Sequence, residues 1–203
     1  MSGSPDAVAP LQPVSSAPGR PRGLMDRFLS LFTEVRNGEG IGALLLGAYV
    51  FLLLESYYIL KTVREAVILS EGGAETKSYS AAAQAIFLLL FIPFYSRLAS
   101  KLNRDRLISG LTLFFASNLA IFYFLGRSGV KLGVVFFLWV GTFNVMAISQ
   151  FWALANDLYS SEQGKRLLPV IGIGSSLGAW MGSVHAGKLL PAFGTYGLML
   201  VAG

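Results

Sequence analysis

The side chains best suited to chemistry in this chain lie within one short stretch, Glu55-Ser-Tyr-Tyr58-Ile-Leu-Lys61-Thr-Val-Arg64-Glu65. At about 100° per helical residue, Glu55, Tyr58, Thr62 and Glu65 fall within an arc of about 80°. Lys61 and Glu65 stand four apart and can pair. Lys61 and Arg64 can hold phosphate or carboxylate groups, and Tyr58 offers a surface on which a planar solute stacks. A second reading stays open: Lys61 and Arg64 mark a helix end and snorkel to the interface. Glu55 interrupts an apolar run, where an acid costs about 2.5–3.5 kcal/mol on insertion scales. It either gates or couples transport, or it binds two helices together.

A second polar set lies further along. Asn144, Ser149, Gln150, Trp152, Asn156 and Asp157 interrupt another apolar run. Ser149, Trp152 and Asn156 share a helix face, and such groups are tolerated in lipid when turned inward. Trp152 can stack on a planar ligand that Asn156 and Gln150 hydrogen-bond. The alternative is interhelical hydrogen bonding with Trp152 as an interfacial anchor. The following stretch, Asp157-Leu-Tyr-Ser-Ser-Glu162-Gln-Gly-Lys165-Arg166, reads as a short charged turn. It either latches and gates its helices or is simply solvated. Gly174, Gly178 and Gly182 recur every fourth residue, with Ser175, Ala179, Ser183 and Gly187 on the next row. Small residues so spaced let helices pack closely. Gly172-Ile-Gly174-Ser-Ser-Leu-Gly178 lacks the strand and βαβ context of a dinucleotide loop, so that reading is rejected.

Bilayer-length apolar runs position these groups. A hydrocarbon core of about 30 Å needs about 20 apolar residues in a helix. Five complete spans are expected: Ile41 to about Leu60, with room for the helix to continue beyond, Tyr79 to about Tyr95, Leu107 to Leu125, Leu132 to about Ala155 and Pro169 to about Leu190. A sixth begins near Tyr196 and is cut short at Gly203, so the chain reads as truncated. Residues 1–22, rich in Pro, Ser, Ala and Gly, read as a disordered cytoplasmic tail, and residues 23–40 as an amphipathic or linker segment. Residues 41–203 form the transmembrane domain. Hydrophobic residues are 54% of the chain and charged ones 13%, half the share in soluble domains.

Cysteine is absent and His185 is the one histidine, so no metal site and no cofactor is expected. The net charge of +5 sits mainly in short connections, which argues for topology rather than nucleic-acid binding. Ten basic residues fall on the side of the N-terminus and six on the other, placing the N-terminus in the cytoplasm. No catalytic constellation is visible, so the chain is read as a carrier and not an enzyme.

The stretches Phe151-Trp-Ala-Leu-Ala-Asn156-Asp157, Glu162-Gln-Gly-Lys165-Arg166-Leu-Leu-Pro169 and Gly172-Ile-Gly174-Ser-Ser-Leu-Gly178 resemble the ATP/ADP translocase family. Tyr58-Ile-Leu-Lys61-Thr-Val-Arg64-Glu65 is similar to that family's basic-then-acidic segment after the first span, with Glu65 where Asp is expected. Leu98-Ala-Ser-Lys101-Leu-Asn-Arg104-Asp-Arg106 is similar to the charged loop of major facilitator transporters. The resemblance covers about residues 41–190. It implies an all-α membrane protein, the first six-helix half of a major-facilitator-type transporter, with the C-terminal half missing. It also implies exchange of ATP for ADP by alternating access across a bacterial inner membrane. On that reading Lys61 and Arg64 hold phosphates, with Tyr58, Trp152 and Asn156 as further substrate contacts. Glu55, Glu65, Asp157, Lys165 and Arg166 gate or couple, and Gly174, Gly178 and Gly182 pack helices. The alternatives are a major facilitator carrier of another organic anion or drug, and a non-transporting membrane scaffold.

Overall fold

The computed structural model describes residues 39–203, apart from the side chains of residues 104 and 105. The tail, most of the amphipathic segment and the basic residues Arg20, Arg22, Arg27 and Arg36 lie outside the described residues. The described chain is all helix: α1 (Glu39–Ala99), α2 (Arg104–Arg127), α3 (Gly133–Leu158) and α4 (Ser161–Ala202). All four are long and apolar enough to cross a membrane.

Helix α1 has 61 residues and would reach about 90 Å if straight, three times the hydrocarbon thickness. It does not run straight. Gly73 takes φ 70° and ψ −170°, a conformation open to glycine alone, and the chain doubles back there. Contacts with α3 give the directions. Going along the first arm, Arg64 lies on Phe137 and Glu71 meets Gly133, so this arm runs antiparallel to α3. On the second arm, Gln84 lies at Gly141 and Tyr95 at Gln150, so that arm runs parallel. Gly194 reverses α4 in the same way (φ 69°, ψ 172°). Past it, Tyr196 packs at Gly126 and Gly203 at Leu119, antiparallel to α2.

Two expected boundaries are corrected. Helix continues past Leu60, as the sequence allowed, but the second arm begins directly after Gly73 and not at Tyr79. Within these helical stretches Arg64 and Lys77 both pair with Glu65 across the reversal. Residues 161–166, part of the stretch 157–166 read as a turn, lie in the first two turns of α4. Ser160 accepts from the Gln163 amide while the Gln163 side chain accepts from Ser160 N, a reciprocal cap. Pro169 sits inside that helix and does not start it.

Two apolar clusters hold the bundle. One gathers Ile59, Leu60, Val63 and Val67 of the first arm with Leu119, Phe122, Phe136, Val140, Leu198 and Met199. Edge-to-face and stacked contacts among Phe115, Phe122, Phe136, Trp139 and Phe143 tie α2 to α3 beside it. The other cluster joins Ala43, Leu46 and Val50 to Phe151, Ala155, Leu167 and Ile171. Glu55 lies on the first arm between the two.

Candidate functional site

The first arm and α4 run parallel in backbone contact. A methyl group added at Gly174 would meet the Gly47 carbonyl, and one at Gly178 the Phe51 carbonyl. At Gly182 it would lie 2.5 Å from the Glu55 carbonyl oxygen and 3.0 Å from Tyr58 Cβ. The partner row advances in the same four-residue steps, Gly47, Phe51 and Glu55, which is what two parallel helices in register require.

This contact brings Glu55 against His185, with Oε1 and Nδ1 2.6 Å apart. The Glu55 side chain is 18% exposed and that of His185 40%. Histidine was no part of the expected site. A lone imidazole 130 residues away carries no sequence signal that pairs it with Glu55. The available cue was its place two residues past Ser183, beside the small-residue row.

One to three turns further, the arm carries the basic groups. The Lys61 ammonium stands 5.2 Å from the Tyr58 ring centroid. Arg64 is mostly buried, its guanidinium 4.3 Å from the Phe137 ring centroid. Arg64 donates to Glu65 at 2.9 Å, and Lys77 on the second arm reaches the other Glu65 oxygen at 2.5 Å. The expected Lys61–Glu65 pair is therefore not made: Arg64 and Lys77 occupy both Glu65 oxygens, leaving Lys61 to the tyrosine face. Beyond them Glu71 accepts from the Leu132 and Gly133 amides at 3.1 and 2.7 Å, closing the N-terminus of α3 from a different helix.

The second polar set lies at the other end of α3. Trp152 and Asn156 follow Phe137, the Arg64 contact, by 15 and 19 residues, about 22 and 28 Å along the axis. They do not converge with Lys61 and Arg64. Nor do they share a ligand with Gln150. Two residues turn a helix by about 200°, so Gln150 faces the second arm, donating to the Tyr95 hydroxyl, while Trp152 faces α4. There Trp152 borders an apolar cavity of about 220 Å³ with Val50, Leu53, Phe151, Leu168 and Ile171.

Asn156 and Lys165 share an open cleft of about 600 Å³ with Tyr159, Ser160 and Ser161. Arg166, one residue on, points elsewhere. With Gln163 it clamps Glu39 at the start of the first arm, Gln163 at 2.9 Å and the guanidinium at 3.3 and 3.4 Å. Burial pushes the Tyr159 phenol above its ordinary value, and the Glu39 charge nearby adds to this. Asp157 is exposed at the end of α3. Among the described residues the bundle therefore carries three layers of paired ionisable groups: Glu39–Arg166 at one end, Glu55–His185 in the middle, and Arg64–Glu65–Lys77 towards the other end. Among the described residues no three acidic or histidine side chains gather as metal ligands.

No protein-family model matches the chain, and neither does any curated protein or solved structure.

Proposed function

We propose that this chain is part of a multi-pass membrane transporter for anionic solutes, exchanging ATP for ADP or related nucleotides by alternating access. The observation that carries the reading is Lys61. It sits within a bilayer-length helix, and among the described residues no carboxylate lies within ion-pair distance of it. Ionisable groups inside membrane helices mark solute and ion paths, because each must find compensation there. A phosphate supplies that compensation, and Tyr58, already under the ammonium, offers a face for stacking. The resemblance of residues 58–65 and 151–178 to nucleotide translocases supports the same substrate class, a six-helix half and a bacterial inner membrane, and the bias of basic residues supports a cytoplasmic N-terminus.

Arg64 adds positive potential: one of its nitrogens donates to Glu65 and its plane lies on Phe137, while its buried Nε has no hydrogen-bond partner among the described residues. Asn156 and Lys165 line an entrance at the other end, and the Arg166–Glu39 clamp beside it suits a gate. The test is uptake of labelled ATP by proteoliposomes preloaded with ADP, using the longest natural form of the protein. Uptake that needs internal ADP and is lost in Lys61→Ala is expected. Unchanged uptake in that variant removes Lys61 from the path.

A second reading, a carrier for a different organic anion or a drug, is favoured by one feature. A largely apolar cavity of about 510 Å³ lies between the first arm, α2 and α3, with Tyr49, Ser56, Thr112 and Gln150 as its polar lining. Such a lining suits an amphipathic solute. Excess drug-like anion competing with ATP for uptake would favour it.

A further inference from the structure

We propose that Glu55 and His185 form a proton-binding site in the middle of the bundle, and that an anionic solute and a proton load together. The first part stands on geometry alone; the coupling rests on the transporter reading above. Glu55 lies 16 residues from Glu39 and 17 from Gly72, about 24 Å from either end of its arm. At this depth the 2.6 Å contact to Nδ1 joins the two titratable groups of the layer. One proton on the line between Oε1 and Nδ1 leaves the pair neutral in sum. Its departure to water leaves one negative charge, and a second proton leaves one positive charge. A neighbour of opposite sign eases either change.

The neighbours are few. On the first arm they are Tyr58, packed on Gly182, and Lys61 above it. On α4 the nearest is Lys188, exposed one turn on from His185. No charged group of the second arm, α2 or α3 lies within ion-pair distance of the pair among the described residues. Lys61 on the same arm and Lys188 on α4 are therefore the two cations that can balance a deprotonated Glu55. An anion bound at Lys61 removes part of that balance and favours the protonated pair. By reciprocity the protonated pair favours the anion. The partial exposure of His185 leaves a path for the proton.

The test has two independent parts. In pH-difference infrared spectra of the purified chain, a protonated-carboxyl band should titrate, vanish in Glu55→Gln, shift in His185→Asn and persist in Glu55→Asp. Superimposable spectra for wild type and Glu55→Gln overturn the proton site, whatever is transported. In proteoliposomes, half-saturating ATP should fall on the order of fivefold or more as the outside is made mildly acidic, and this response should disappear in His185→Asn. ATP uptake indifferent to acidity overturns the coupling and leaves the transporter reading intact. A titrating band without ATP uptake upholds the proton site and removes nucleotides as the solute.

Discussion

Replacing Gly182 by alanine tests whether the first arm and α4 touch through their backbones. The added methyl would lie 2.5 Å from the Glu55 carbonyl oxygen and 3.0 Å from Glu55 Cα, where ordinary contact begins at 3.4 Å. The deficit is about 0.9 Å. The oxygen belongs to a helical backbone, so no rotamer change relieves it and the helices must separate locally. Overpacking of this kind costs about 1–3 kcal/mol. Alanine also raises helix propensity by about 1 kcal/mol over glycine, which opposes the loss. Gly187 on the same helix removes that ambiguity: a methyl there meets nothing within 4 Å. The propensity gain is common to both variants and cancels in their difference. Gly182→Ala should therefore be less stable than Gly187→Ala by about 1–3 kcal/mol, or about 5–150-fold in the unfolding equilibrium. Titration of micelle-solubilised protein with sodium dodecyl sulfate, followed by tryptophan fluorescence, measures this difference. Equal midpoints for the two variants would refute the close approach and, with it, the register that sets Glu55 against His185.

Glu71→Ala removes the acceptor for two amides at the start of α3 and should cost about 1–2 kcal/mol, read as faster amide exchange at residues 132–136. Arg64→Lys keeps the charge but loses the planar contact with Phe137. A loss of about 0.5–1 kcal/mol is expected in the same detergent titration, and no change would mean that the stacking contributes nothing. Glu39→Gln and Arg166→Gln should each destabilise, and their double-mutant cycle should return a coupling of about 1 kcal/mol that shrinks with salt. A coupling of zero would reduce the clamp to a surface contact.

All-helical architecture with membrane-length helices was legible in the sequence, because runs of about 20 apolar residues can satisfy their backbone in lipid in few other ways. The small-residue spacing on α4 was equally legible, since four-residue periodicity is a property of one helix. Its partner row on the first arm was not. Gly47, Phe51 and Glu55 share no residue type, and only packing reveals that their backbones take the contact. Helix ends were misjudged at 161–166, where charge was taken for a turn. Past Leu60, where the helix was free to continue, Arg64 and Lys77 both pair with Glu65 across the Gly73 reversal, a contact between arms that composition cannot show. Gln150 and Trp152 looked like one polar stripe until their facing was resolved, and they serve different neighbours. Residue type and period determined which segments are helices and which faces are polar. Tertiary structure decided which charges meet, above all Glu55 with His185 across 130 residues, because a contact between two helices depends on their direction and register, which no local pattern encodes.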